Sequence, residues 1–469
     1  MPLIADLQAI VGAQNVLTGA DATPYGQDWI GKYPSQPRAV VRPADSAEVS
    51  AVMKLAAQTG TAIVPVSGNT GLAGGTCAEG VLMISLARMN AIRKINTSAR
   101  SAVVEAGVIL SDLHAAAEAV GLTFPLFFGA RGSAMVGGAL STNAGGSNVL
   151  RYGNTRALCL GIEVVLPSGQ VMNLMSALHK DNAGYDLRDL FIGAEGTLGI
   201  ITAAVLKLHP KPRAYATAMV AVPTLDQALD LLNRLQEATG GAVEAFEYMP
   251  RGYMERLKKF HPELRPAFDV PHDVNILVEV GATAPRDATP GPDGAVPVVE
   301  HLQDILAQMF DQGLVQDAAV ARSQAQRAEM WARRELAAEI TLNQLPIVDS
   351  DIAVPLDRIG DFLERIGARL PTLDGAAETL TVAHLGDGNL HFAVFPSRDD
   401  PVHLDMIREA VEDVVADLGG SFSAEHGIGL SKKSTMARRK DSVALAVMGQ
   451  IKKALDPQGI MNPGKVLPD

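Results

Sequence analysis

Short β-branched and aliphatic runs alternate along the chain with longer segments of helical spacing, and glycine-dense loops interrupt the first half. Arg38-Ala-Val-Val-Arg-Pro43 reads as extended, and Asp45-Ser46 ahead of Ala47-Glu48 reads as a helix start. Residues 61–65, 81–86 and 102–108 are further strand-like runs, residues 110–120 a helix stopped by Gly121, and residues 161–166 and 199–208 strands again. From Gly129 to Gly153 small residues are so frequent that neither an ordinary helix nor a strand is expected there. The texture changes after Lys211-Pro212-Arg213. Amphipathic helices such as 224–240 and about 298–313 then alternate with strands such as 274–280, and residues 283–297 read as a Pro, Gly and Asp-rich surface loop. The pattern predicts an α+β protein with a first domain over residues 1–213 and a second over 214–469.

Composition narrows the function. The 469 residues exceed what one hydrophobic core usually supports. No apolar run is long enough to cross a bilayer and no charged-then-apolar leader follows Met1, so a cytoplasmic protein without a membrane segment is expected. Cys77 and Cys159 are the only cysteines, too few for a disulfide framework or an iron–sulfur cluster; redox chemistry would need an organic cofactor or a metal. A formal net charge of -12 argues against nucleic acid as a partner.

The sharpest feature of the first half is Pro65-Val-Ser-Gly-Asn-Thr-Gly-Leu-Ala-Gly-Gly75, directly off a strand-like run. Its glycines let backbone N–H groups converge on an anion, and Ser67, Asn69 and Thr70 add side-chain donors; in isolation a plain glycine-rich turn reads as well. The spacing fits neither the dinucleotide fingerprint nor the P-loop. A second dense stretch, Gly129-Ala-Arg-Gly-Ser-Ala-Met-Val-Gly-Gly-Ala-Leu-Ser-Thr-Asn-Ala-Gly-Gly146 with Arg151-Tyr-Gly153, suits an extended ligand. A third, Phe191-Ile-Gly-Ala-Glu-Gly-Thr-Leu-Gly-Ile-Ile201, precedes a strand.

These loops, in this order, resemble the FAD-binding domain of the vanillyl-alcohol-oxidase-type flavoproteins. The nearest branch is that of D-2-hydroxyglutarate dehydrogenases, D-lactate dehydrogenases and glycolate oxidase flavoprotein subunits, matched from about Pro37 to the C-terminus. The resemblance implies a two-subdomain FAD-binding domain, an α+β cap domain with an antiparallel sheet, and a C-terminal segment, 420–469, returning to the flavin. By it, Pro65, Ser67, Gly68, Asn69, Thr70 and Gly71 hold the pyrophosphate. Gly132, Ser133, Gly137, Gly138, Thr142, Asn143, Gly145, Gly146 and Gly153 line the cofactor, Glu195, Gly196 and Ile200 lie along its adenosine and ring portions, and Asn462 touches it. The loop lacks the histidine some relatives use for covalent attachment, so FAD is expected to be non-covalent.

Thr381-Val-Ala-His-Leu-Gly-Asp-Gly-Asn-Leu-His-Phe-Ala-Val394 stands without that comparison. A two-residue turn at Asp387-Gly388 would pair Gly386 with Asn389, Leu385 with Leu390 and His384 with His391. The two imidazoles are then either hydrogen-bonded core groups or ligands of one metal ion. Ser421-Phe-Ser-Ala-Glu-His-Gly-Ile-Gly-Leu430 adds Glu425 as a third ligand, leaving a divalent ion such as zinc an open position. In the resembled dehydrogenases the matching histidines and glutamate bind metal and the next histidine acts on substrate, which makes His426 the candidate base.

Trp331-Ala-Arg-Arg-Glu335 resembles the family's Trp-x-x-Arg-Glu segment and implies Arg334 as the substrate carboxylate clamp; the bland reading is a surface ion pair with Glu335 or Glu339. Relatives specific for 2-hydroxyglutarate carry threonine, lysine and asparagine where this chain has Ala338, Asp349 and Ala393. Arg333 or another cation is the expected substitute. The expected reaction is oxidation of a D-2-hydroxy acid, D-2-hydroxyglutarate or D-lactate-like, with hydride passing to flavin N5. Electrons would go to an external acceptor such as an electron-transfer flavoprotein or a quinone-linked carrier, and the assembly considered is a homodimer. An oxidase and a non-catalytic flavoprotein subunit are the rival readings.

Overall fold

The computed structural model describes residues 2–29 and 31–468; Met1 and Asp469, the outer limits of the expected domains, lie outside them. The chain divides into two compact units, one of residues 1–145, 153–210 and 425–469, the other of residues 146–152 and 211–424. The expected division at 213 and return at 420 therefore compare with 210/211 and 425, and an excursion at 146–152 was not anticipated.

The first unit holds two main sheets. In one, β1 (Val16–Leu17), β2 (Ala39–Val41), β3 (Ile63–Val66) and β4 (Leu82–Ser85) lie in the order β1-β2-β4-β3, with β2, β4 and β3 parallel. The helix Ser46–Thr59 makes the crossover between β2 and β3. Its start follows the sequence chemistry: the Asp45 carboxylate accepts from the Glu48 N–H at 2.9 Å, and the Glu48 carboxylate accepts from the Ala44 N–H at 2.6 Å. Gly60, at φ 63°, ends it in the left-handed region. The other sheet is antiparallel, in the order β5-β6-β10-β8-β9: β5 (Ile92–Asn96), β6 (Ser101–Glu105), β8 (Cys159–Val165), β9 (Val171–Leu174) and β10 (Ile200–Lys207). Short β7 (Leu122–Thr123) pairs with β11 (His209–Pro210).

The segment read as too glycine-rich for a helix contains two, Val136–Thr142 and the single turn Val149–Tyr152. The glycines of the first serve proximity. The Gly137 N–H donates to the Ala106 carbonyl at 2.7 Å, and a Cβ on Gly137 would stand 2.8 Å from that of Ala106. Only a helix face without side chains approaches a strand so closely.

The second unit is a seven-stranded sheet in the order β15-β12-β14-β13-β17-β18-β16, antiparallel throughout. Its strands are β12 (Ala214–Val222), β13 (Val243–Pro250), β14 (Val274–Ala282), β15 (Asp317–Val320), β16 (Val348–Ala353), β17 (Glu378–His384) and β18 (Asn389–Phe395). One face packs Val278, Phe246, Ala383 and Phe392 against Leu231, Leu302, Ile366 and Ile407, from four long helices. The other packs Met219, Leu277, Val382 and Phe395 against Tyr253, Met330 and Ile340. Alternate residues of each strand thus enter different cores, as the pleat requires. Among the described residues no helix is long and apolar enough to cross a membrane.

The β17–β18 hairpin departs from expectation. His384 pairs with Asn389 and Val382 with His391, so the connection is four residues long, 385–388. Leu385 is drawn into the core and the Gly386 N–H donates to the Phe246 carbonyl, so these two residues cannot continue the ladder. The register slips by two. A slip of two preserves the face, which keeps both histidines on one side as diagonal neighbours.

Buried Asp374 ties the end of the helix Ile359–Leu373 to the helix Pro401–Asp417. Its Oδ2 lies 2.8 Å from His403 Nε2 and accepts from the Ser397 N–H at 2.8 Å, while Arg398 Nη2 stands 3.1 Å from His403 Nδ1. The His403 hydrogen bond holds the Asp374 carboxyl well below the usual carboxylate range. A depressed carboxylate stabilises the fold above its unfolded pKa of about 3.9 and loses that contribution as pH falls toward the folded value. Asp374→Asn is accordingly expected to lower the melting temperature at neutral pH, with the gap to wild type closing in acid. A gap independent of pH in thermal melts would refute this role.

Candidate active site

On the face of the second sheet that carries Leu277 and Val382, one end is charged. Glu244 and Glu247 on β13 and Glu279 on β14 are buried in strands otherwise made of apolar residues. Each is answered by an arginine. Glu279 accepts from Arg327 Nε at 2.7 Å and Nη2 at 2.6 Å, from Trp331 Nε1 at 2.8 Å and from Thr217 Oγ1 at 2.6 Å. Glu244 accepts from Arg151 Nη1 at 2.7 Å and Tyr152 Oη at 2.6 Å, and so binds the 146–152 excursion to the sheet. Burial pushes the Glu244 carboxyl up despite these donors.

Glu247 is the centre of the third group. Its Oε2 accepts from Arg334 Nε at 2.7 Å and its Oε1 lies 2.8 Å from His384 Nδ1. Desolvation alone would raise this carboxyl, but the charges of His384 and Arg334 outweigh it and hold it low. Arg334 Nη2 stands 3.4 Å from His384 Nε2. The His384 and His391 rings are 5.4 Å apart between centroids, at 79°. Asp351 is directly opposite His391 on β16, and its carbonyl accepts from the Ala424 N–H at 3.3 Å. Glu425 and His426 are the next two residues in the chain.

Arg334 is therefore not a surface group: its side chain is largely buried and its carboxylate partner is Glu247 rather than Glu335 or Glu339. Arg333, the expected substitute cation, is buried elsewhere, donating to the Glu329 and Arg265 carbonyls at 2.6 and 2.7 Å. Adjacent helical residues point about 100° apart, so the two arginines cannot serve one pocket. Asp349 and Ala393 form a directly opposed pair on β16 and β18, two residues along from Asp351 and His391. Ala338 lies on the helix Ala337–Leu342. Glu244, Glu247 and Glu279 were missed in the sequence, although a glutamate inside an apolar strand is itself a signal.

In the first unit, the loop after β3 leaves the carboxyl end of a parallel strand, the usual ligand-binding edge of such sheets. Pro65 ends up against Gly196, and Gly68 against the Ser133 carbonyl, which brings the three glycine-rich elements together. Gly71 and Gly132 face open space where a side chain would stand. Asn69, at φ 52°, ties the loop to the N-terminal segment, donating to the Gln27 carbonyl at 2.9 Å and accepting from Thr76 at 2.6 Å. Thr70 lies in the same loop, and Thr142 Oγ1 donates to the Gly138 carbonyl at 3.2 Å. Asn143 caps the helix at φ 51° and accepts from the Arg156 N–H at 2.9 Å. Gly145 closes the first stretch of this unit, Gly146 belongs to the other, and Gly153, at φ 78°, resumes it.

The side chain of Ile200 is packed in the core, leaving only its backbone for a ligand. Glu195 turns its carboxylate to the Ile428 and Gly429 N–H groups, at 2.7 and 2.8 Å, and burial pushes it up. Asn462 donates to the Gly75 carbonyl at 3.0 Å and the Glu195 carbonyl at 2.8 Å. Its Oδ1 is buried without a partner among the described residues. An orphaned buried acceptor, on a side chain held by the Gly75 and Glu195 carbonyls, fits a bound ligand that brings a donor.

Two family patterns match the chain: "FAD binding domain" over residues 37–175 and "FAD linked oxidases, C-terminal domain" over residues 211–466. The chain belongs to the FAD-linked oxidase family. This makes it an FAD-using oxidoreductase. It is 35% identical to the mitochondrial D-2-hydroxyglutarate dehydrogenase of Bos taurus, over 99% of this chain and 83% of that one. It is 34% identical to the D-2-hydroxyglutarate dehydrogenase of Xanthomonas citri pv. viticola, over 99% and 97%. Among solved structures, p-cresol methylhydroxylase superposes with a TM-score of 0.74 at 15% identity, over 99% of this chain and 96% of that one. The α+β fold is that of the vanillyl-alcohol-oxidase-type flavoproteins.

Gly68→Val would drive a side chain into the Ser133 backbone and part the first two glycine loops. The purified variant is expected to lose most of its flavin absorbance per protein; full flavin content would show that the loops do not need this contact.

Proposed function

We propose that this FAD-linked oxidoreductase converts a D-2-hydroxy acid to the 2-oxo acid, with a divalent cation, zinc foremost, held by His384, His391 and Glu425 and with His426 as base. The observation that carries this reading is Glu247, which fixes His384 through Nδ1 and Arg334 through Nε. A carboxylate on one imidazole nitrogen leaves the other as a lone pair of raised basicity, the arrangement typical of metal-ligating histidine. Two imidazoles and one carboxylate suit zinc with a position left open for substrate.

When bound, the cation lowers the pKa of the hydroxyl it contacts and FAD accepts the hydride. The remaining tasks fall to side chains. His426 removes the hydroxyl proton. Arg334, whose Nη1 makes no bond to the described residues, takes the substrate carboxylate. The loop residues Ser67, Gly68, Thr70 and Gly71 hold the pyrophosphate through their N–H and hydroxyl groups, with Asn69 shaping the loop. Asn462, whose buried Oδ1 has no partner among the described residues, would accept a hydrogen bond from the bound cofactor. An external carrier, such as an electron-transfer flavoprotein or a quinone-linked protein, then collects the electrons.

The names of the relatives support D-2-hydroxyglutarate as substrate. The opposed pair Asp349–Ala393 favours a second, D-lactate-like reading. It sets an anion where 2-hydroxyglutarate-specific relatives carry lysine, and a second substrate carboxylate there would meet like charge.

Anaerobic mixing with D- and L-2-hydroxy acids tests the proposal directly. D-lactate or D-2-hydroxyglutarate is expected to bleach the flavin and the L-forms to leave it yellow; bleaching by L-forms alone, or by none, would overturn it. Rapid peroxide formation on reoxidation in air would identify an oxidase instead. His426→Ala is expected to retain FAD and slow flavin reduction about 10²-fold or more. His384→Ala is expected to lower bound metal, and undiminished metal content would remove it from the ligand set.

A further inference from the structure

The helix Ser442–Leu455 has no fully buried residue, yet its outward positions Val443, Ala446, Val447, Gln450, Lys453 and Ala454 carry a single charge. Val443 is 69% and Val447 46% exposed. A helix face that meets only water is normally polar. Around this face the chain reverses its overall charge. Residues 430–455 contain seven lysines and arginines against the single Asp441, in a protein of formal net charge -12. Arg438 and Lys440 are exposed ahead of the helix and Lys453 in its last turn. An apolar centre with a charged rim is the anatomy of a protein–protein contact.

The helix is also fastened to the proposed flavin cradle within the first unit. Lys452 Nζ donates to the Thr197 carbonyl at 2.7 Å and the Met461 carbonyl at 2.7 Å, and pairs with Asp456 at 2.6 Å. Thr197 follows Glu195 and Gly196, and Met461 precedes Asn462.

We propose that the outward face of Ser442–Leu455, rimmed by Arg438, Lys440 and Lys453, docks an acidic electron-carrying protein. This rests on the reading that an external carrier reoxidises the reduced flavin. Two electrons leave the flavin for the carrier, a proton is released to solvent, and the oxidised cofactor is restored. Two-fold pairing with a second copy through this face is disfavoured, because it would set the basic rim against itself. A lipid surface is disfavoured by the outward side chains: two valines, with no aromatic or leucine to enter the acyl boundary.

The test uses FAD-loaded enzyme, purified electron-transfer flavoprotein as the probe, and the triple variant R438E/K440E/K453E. Titration calorimetry of the probe against oxidised enzyme gives binding without turnover. Wild-type affinity is expected to fall with added salt, and the triple variant to bind about tenfold more weakly or worse. Reoxidation by the probe should slow in parallel, while flavin reduction by the hydroxy acid and reoxidation by a small dye stay unchanged. Equal binding by wild type and variant, or no binding by wild type, overturns the proposal. So does charge-dependent sedimentation with phosphatidylserine vesicles when probe binding is unaffected by the substitutions. Failure of the hydroxy acid to reduce wild-type flavin would count against the proposed reaction, and the calorimetric result would still decide the docking surface.

Discussion

A carboxylate placed on the apolar face of a sheet must be matched by a cation or lose its charge, and much of the second unit is arranged around that constraint. Glu244, Glu247 and Glu279 recruit arginines from three places in the chain: the 146–152 excursion and two positions on the helix Gln324–Glu335. Breaking one such buried pair by removing a partner typically costs about 3–5 kcal/mol, because the other charge is stranded. The same bonds that satisfy the glutamates therefore fix where Arg151, Arg327 and Arg334 stand.

Glu247 has the further effect of choosing a tautomer. With Nδ1 of His384 at 2.8 Å from the carboxylate, the neutral ring would keep Nε2 as its acceptor, 3.4 Å from Arg334 Nη2. A buried anion is thus the support for an imidazole and a guanidinium together, the pair on which the proposed substrate and cation site rests.

The first unit solves a different problem, the close approach of backbone to backbone. Gly68 and Gly137 lie against neighbouring chain, whereas Gly71 and Gly132 face open space. The C-terminal segment is clasped to these loops by Asn462 and by the Glu195 carboxylate, both residues with positive φ held by several hydrogen bonds. A glycine-rich stretch read from composition does not distinguish these roles, and for that reason the helix Val136–Thr142 was not anticipated.

Local chemistry was legible wherever it acts within a few residues. The Asp45 helix start, the amphipathic helix near 224–240, the strand-like runs and the three glycine loops can all be read from the chain, and so can the two histidines and Glu425-His426 as a candidate constellation. Tertiary structure decided what depends on distant partners. Leu385 entering the core moved the hairpin register by two, the glutamate on β13 turned Arg334 inward, and Arg333, one residue away and about 100° around the helix, went instead to the Glu329 and Arg265 carbonyls. Capping and turn energies are set by neighbours in sequence, whereas the cost of burying a charge or a leucine is set by whatever the fold places against it.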